Sequence, residues 1–177
     1  LVGKYVGWTA KLVKSAFKRA RGGVLFIDEA YSLAGDQFGR NALDTLLKQL
    51  EDKRDRFVCI VAGYTKEMQA FVDANSGIRS RFPERNWITF EDYNDDELFQ
   101  IFANLCKKEK ITMTDEASTL LRARFKMIYL RRDDKFGNAR EARNMFESVK
   151  AAMATRTSMI DSPTLEDLKT IQAEDIR

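Results

Sequence analysis

There is no histidine among the 177 residues. That excludes Ser-His-Asp and Cys-His chemistry within this chain and argues against a zinc site. Only two cysteines occur, which points to a reducing, cytoplasmic compartment. Cys59 lies in an apolar strand-like run and Cys106 on a helical pattern, so both read as buried, idle thiols. No apolar run approaches the roughly 20 residues needed to cross a bilayer, and no secretory signal is visible. The net charge of +3 is too small to imply a nucleic-acid partner. A phosphate-cradling G-x-x-x-x-G-K-[ST] loop is missing as well. Gly3, Gly7, Gly22, Gly23, Gly35 and Gly39 do not have its spacing.

What is present is ordinary globular composition, 44% hydrophobic and 32% charged, in a length that suits one domain or two small ones. Gly23-Val24-Leu25-Phe26-Ile27-Asp28-Glu29-Ala30 carries the most chemistry. Its apolar part predicts a strand buried on both faces. Asp28 and Glu29 then fall at the C-terminal end, where open parallel sheets bind ligands. Adjacent carboxylates there suit a magnesium nucleotide, one holding the hydrated metal and the other orienting water, as in a Walker B pattern. Because the chain opens on Leu1 and lacks the phosphate loop, it is expected to be the C-terminal portion of a larger ATPase module.

Residues 1–90 alternate helix and strand. A helix is predicted from a Thr9 cap to about Arg21, striped by Leu12, Val13, Ala16, Phe17 and Ala20, with Lys11, Lys14, Lys18 and Arg19 on a solvated face. Tyr31 to Gly39 reads as a loop, and Asn41 begins a helix striped by Leu43, Leu46, Leu47 and Leu50. Phe57–Ala62 predicts a second buried strand, Thr65–Val72 a short helix, Asn75-Ser76-Gly77 a turn and Trp87–Phe90 a third strand. Residues 91–177 read as helical. A capping box opens at Asn94, a second helix at Thr114 or Asp115, a third after Gly137, and a short last one near Thr164.

Leu1-Val2-Gly3-Lys4-Tyr5-Val6-Gly7, Gly22 to Leu33, Ala62-Gly63-Tyr64, Gly77-Ile78-Arg79-Ser80-Arg81-Phe82 and Gly137-Asn138-Ala139-Arg140 together resemble an AAA+ ATPase. The resemblance is to the family of red-type Rubisco activase and stage V sporulation protein K. It implies an α/β fold, namely a partial AAA+ nucleotide-binding sheet without its P-loop strand over 1–90, followed by an α-helical lid over 91–177. It also implies ATP and Mg2+ as cofactors. By the resemblance, Asp28 positions the metal through water and Glu29 orients the lytic water. Tyr64 takes the sensor-1 position, with Thr65 as the alternative. Arg81, and with it Arg79, become arginine fingers acting from the neighbouring subunit. Arg140 becomes sensor 2, with Arg143 one turn further along. Tyr5-Val6-Gly7 becomes a pore loop that grips a protein client, although Lys4 and Trp8 depart from the family's usual residues beside it.

The activity implied is ATP-driven remodelling of protein clients by a homo-oligomeric, hexameric ring, without nucleic acid or membrane. Two other readings stay open: a non-hydrolysing adaptor or assembly module derived from such a domain, and a DNA-acting relative such as a clamp loader. A sheet lacking its P-loop strand is further expected to expose apolar edges and to be unstable alone.

Overall fold

The computed structural model describes residues 8–35, 37–54, 56–133 and 136–176. Tyr5, Val6 and Gly7, the sequence-based pore loop, lie outside the described residues. Contacts divide the chain into two units, 1–89 and 90–177, which are taken in turn.

The first described element is helix α1 (Trp8–Arg19), and it already contains Thr9, the residue read as its cap. Val13, Ala16 and Phe17 are buried along one stripe, while Leu12 is exposed. Gly22, at φ 75, turns the chain into strand β1 (Val24–Ile27). The segment after β1 is a 3-10 turn, Ala30–Ala34, and not an open loop, because Ala30 and Leu33 both reach the core. Helix α2 (Gln37–Asp52) starts four residues earlier than the leucine stripe predicts. It is followed by β2 (Val58–Val61), α3 (Thr65–Asp73) and α4 (Ser76–Arg81). The predicted turn at Asn75 is the cap of α4, whose Gly77 N donates to Asn75 Oδ1 at 2.8 Å.

Strands β1 and β2 pair in parallel, with Val24 opposite Val58 and Phe26 opposite Ile60. Leu25, Ile27, Cys59 and Val61 turn toward a core built from Phe17, Leu43, Leu46, Phe71 and Ile78. The opposite face corrects the reading of strands buried on both sides. Val24, Phe26, Val58 and Ile60 are 58%, 59%, 58% and 46% exposed, because no described element packs on that side. Trp87–Phe90 is extended but forms no ladder, since no described strand lies beside it to receive its hydrogen bonds. Ile88 and Phe90 are left exposed there.

The second unit is a three-helix body, α5 (Asp95–Glu109), α6 (Asp115–Leu130) and α7 (Ala139–Ser158). The capping box at Asn94 is complete, with Glu97 N donating to Asn94 Oδ1 and Asn94 N to Glu97 Oε2, each at 2.9 Å. Thr114, not Asp115, caps α6 through a bond from Ala117 N at 3.2 Å. Phe102 sits at the centre, edge-on to Phe125 and Phe146 with ring centroids at 5.9 and 5.6 Å. Such edge-to-face pairs add to simple area burial.

No helix forms near Thr164, and the second unit is not wholly helical. Thr164 and Asp167 close a single turn through reciprocal bonds of 2.9, 2.6 and 3.1 Å. These bonds hold the Asp167 carboxyl below its usual range. The chain then enters β4 (Thr170–Ile171), which pairs in parallel with β3 (Thr112–Met113). Arg156 grips the segment after β4. Its Nε and Nη2 reach Asp175 Oδ1 and Oδ2 at 3.0 and 3.1 Å, and Nη2 also reaches Thr170 O at 3.0 Å.

Candidate functional site

Two β1–β2 ladder bonds past the C-terminal ends of the strands define the site. Ala62 N donates to Ile27 O at 2.8 Å and Ala30 N to Ala62 O at 3.1 Å. They hold the chain at Asp28-Glu29 beside the chain at Gly63-Tyr64, both at the C-terminal ends of parallel strands. Glu29 takes a left-handed backbone, φ 49 and ψ 45, which a residue with a Cβ adopts only at some cost in energy. Its amide donates to Asp28 Oδ1 at 3.0 Å. That bond fixes the Asp28 carboxylate and leaves its second oxygen without a protein partner among the described residues.

Tyr64 stands at the N-cap of α3, is half exposed, and makes no side-chain cap. Thr65 is the first residue of that helix. Between the two chain segments lies Tyr31, a residue the sequence reading passed over. Its ring rests on Gly63 so closely that a Cβ there would lie 2.7 Å from Cε1. Partial burial, then the negative fields of Glu29 and Glu67, Tyr64 and finally Asp28, raise the phenol above its ordinary pKa. Glu67, in the first turn of α3, is therefore a third carboxylate near this end of the sheet. The signal in the sequence for Tyr31 and Gly63 is that a bulky ring follows Asp28-Glu29 directly and a glycine ends the second strand.

Asp28, Glu29 and Tyr64 thus converge, whereas the two arginines of α4 bond elsewhere. Arg79 pairs with Asp73 and is largely exposed. Hydrogen bonds from Gln69 and Arg79 hold the Asp73 carboxyl below its usual range. Arg81 folds back, with Nη1 donating to Gly77 O at 3.0 Å and Nη2 3.3 Å from Glu51 Oε2. Its Nε is buried with no hydrogen-bond partner among the described residues.

Arg140 and Arg143 belong to the second unit, exposed on the first turns of α7. The start of that helix is held by Asn138, which the sequence reading quoted without giving it a role. It adopts φ 54, donates to Asp92 Oδ1 at 2.8 Å and accepts from Tyr93 N at 3.0 Å. Cys59 and Cys106 are free thiols, each pushed up to about 11 by burial, and so are poor nucleophiles at neutral pH.

Among the described residues no group of three or more acidic or thiol side chains forms a metal cage. The residues present fit a hydrated Mg2+ that keeps most of its shell as water and phosphate oxygens. Asp28, with one oxygen pinned and one open, is the side chain that could hold such an ion.

Residues 1–90 match the ATPase family associated with various cellular activities (AAA). The chain belongs to the AAA family. Residues 94–177 match the AAA lid domain. The AAA chain is 39% identical over 180 residues to stage V sporulation protein K of Bacillus subtilis, covering 99% of this chain and 55% of that protein. It is 42% identical over 184 residues to protein CbbX of Cereibacter sphaeroides, covering 100% of this chain and 58% of that one. Ribulose bisphosphate carboxylase/oxygenase activase of Cyanidioschyzon merolae is 39% identical over 185 residues, at 99% and 61% coverage. This AAA chain therefore spans less than two thirds of the length of these relatives. No helix among its described residues is long and apolar enough to cross a membrane.

Proposed function

We propose that this AAA chain supplies the catalytic carboxylates, arginine fingers and lid of an ATP-hydrolysing protein remodeller. The carrying observation is the pairing of Asp28-Glu29 with Tyr64 at one end of a parallel sheet, inside a chain of the AAA family. Bound nucleotide and Mg2+ would supply the phosphoryl group and neutralise its charge. Asp28, fixed by the Glu29 amide, holds the hydrated metal through its open oxygen. Glu29 orients the attacking water and accepts its proton, its carboxylate aimed by the left-handed backbone. Tyr64 senses the terminal phosphate.

Arg79 and Arg81 act on the nucleotide of the next subunit of a hexameric ring. Arg79 is the more open of the two, and Arg81 has to leave Gly77 O to reach across. Arg140 carries the state of the nucleotide to the lid, and Tyr5-Val6-Gly7 pulls on a protein client. That the client is a protein rests on the relatives, one of which is named as an activase of ribulose bisphosphate carboxylase/oxygenase.

Glu29→Gln, made in the longer protein that carries this chain, is expected to keep ATP affinity while turnover falls by roughly a hundredfold or more. Unchanged turnover sinks the assignment of Glu29. A non-hydrolysing adaptor is the second reading, favoured by the lack of a phosphate-loop motif within these 177 residues. Absence of ATP binding in the longer protein would establish it.

A further inference from the structure

The opposite end of the sheet, about 13 Å along strands four residues long, opens beside a cleft of about 410 Å3. Lys14 and Lys18, one turn apart on α1, and Arg21 just after that helix form one wall. Lys53 and Arg56, between α2 and β2, form the other. A bond of 2.7 Å from Gly22 N to Arg56 O draws the two walls together. Among the described residues no carboxylate lines the cleft and none of these five cations has a side-chain partner. Asp44 borders only the adjoining cleft, with Lys14, Thr45, Lys48 and Gln49.

The base of the cleft is apolar. Phe17, only 2% exposed, meets Phe57 edge-on at 4.8 Å. Gln49 also lines it and is 8% exposed, yet its side-chain amide has no hydrogen-bond partner among the described residues. Its remaining exposure faces the two clefts, so a ligand oxygen arriving there pairs it. The same ligand relieves the mutual repulsion of five like charges, and the apolar base strengthens each attraction by lowering the local dielectric.

We infer that this cleft is a binding site for a compact, phosphate-bearing polyanion, separate from the carboxylate end of the sheet. Arg21 and Arg56 offer planar forks that match phosphate, and Lys14 and Lys18 act as point charges. The row from Lys14 to Arg21 is about 10 Å long, room for two phosphate groups rather than a nucleic-acid backbone. The inference does not depend on the proposed ATPase function.

Inorganic pyrophosphate titrated without Mg2+ into the longer protein that carries this chain, followed by calorimetry and by the Gln side-chain amide resonances, tests it. A saturable component is expected that moves the Gln49 amide. Lys18→Glu and Arg56→Glu, both at exposed positions, are each expected to weaken binding about tenfold or more with unchanged circular dichroism. Gln49→Leu is expected to weaken it several-fold, and Lys126→Glu on α6 to leave it unchanged. No saturable binding, or binding indifferent to Lys18→Glu and Arg56→Glu, overturns the inference. So does binding that appears only when Mg2+ is added and is lost in Asp28→Asn, which would place the probe at the carboxylate end. Binding of single-stranded DNA or an acidic peptide without pyrophosphate binding also overturns it, in favour of a macromolecular surface.

Discussion

Replacing Gly63 with alanine places a methyl group 2.9 Å from Tyr31 Cδ1 and 3.0 Å from Met68 Cγ, besides the closer approach to Tyr31 Cε1. Met68 can yield by rotating about its own bonds. The tyrosine ring is rigid and has to move as a body, away from the contact that seats it between Asp28-Glu29 and the Gly63-Tyr64 segment. Overpacking of this kind costs about 1–3 kcal/mol. Gly63 does not use the left-handed backbone that favours glycine, so the added methyl brings no strain of its own. Once the ring is gone, in a Tyr31→Ala background, the same substitution is expected to be neutral or to stabilise by up to about 1 kcal/mol through the unfolded chain. The coupling between the two changes is therefore about 1–4 kcal/mol. Urea denaturation followed by tryptophan fluorescence reads it selectively, because both tryptophans, Trp8 and Trp87, lie in the first unit. An equal cost of Gly63→Ala in both backgrounds would refute the wedge role given to Tyr31.

Phe102→Ala, at the centre of the second unit, is expected to cost about 3–5 kcal/mol, seen as early loss of helical circular dichroism. A cost under about 1 kcal/mol would mean the three-ring cluster is not the core. Asp175→Ala leaves Arg156 largely buried without its bidentate partner and is expected to cost about 3–5 kcal/mol in the same assay. Tyr31 has its folded pKa raised above 10.0, so its contribution to stability is complete below pH 10 and is lost as pH rises through the folded value. In alkaline absorbance titrations, Tyr31→Phe is expected to remove the component that ionises later than an ordinary phenol. Removal of an unshifted component would contradict the placement of Tyr31 beside Glu29 and Glu67.

The helices were legible because their stripes are set by local sequence: Leu43 and Leu46, or Ala142, Phe146 and Val149, recur at helical spacing and are buried. The Asn94 and Thr114 caps were legible for the same reason. Strands were harder, since four apolar residues in a row do not say how many faces are covered. Val24 and Phe26 read as core and are exposed. Trp87–Phe90 has strand composition but no neighbour among the described strands, and a ladder is a property of two segments. The β3–β4 pair, two residues on each side, is too short to leave a periodic signal. In the site, acidic residues at a strand end announced themselves. Tyr31 and Asn138 act through contacts with segments far along the chain, which spacing cannot show.

The short β3–β4 ladder has a consequence for the order in which the second unit assembles. The Thr112 and Thr170 hydroxyls that meet across it, at 3.0 Å, are 58 residues apart in sequence. Closing a loop of that length costs chain entropy before any contact repays it, whereas the α5–α6 hairpin needs only neighbouring segments. Three helices are therefore expected to collapse first around Phe102, with the gap for Ile171, fully buried in the finished unit, filled later. On that order, sealing the gap and locking Asp175 onto Arg156 come last. A ribosome-bound chain that has not yet released residues 170–175 is then expected to hold formed helices around a core still open to water.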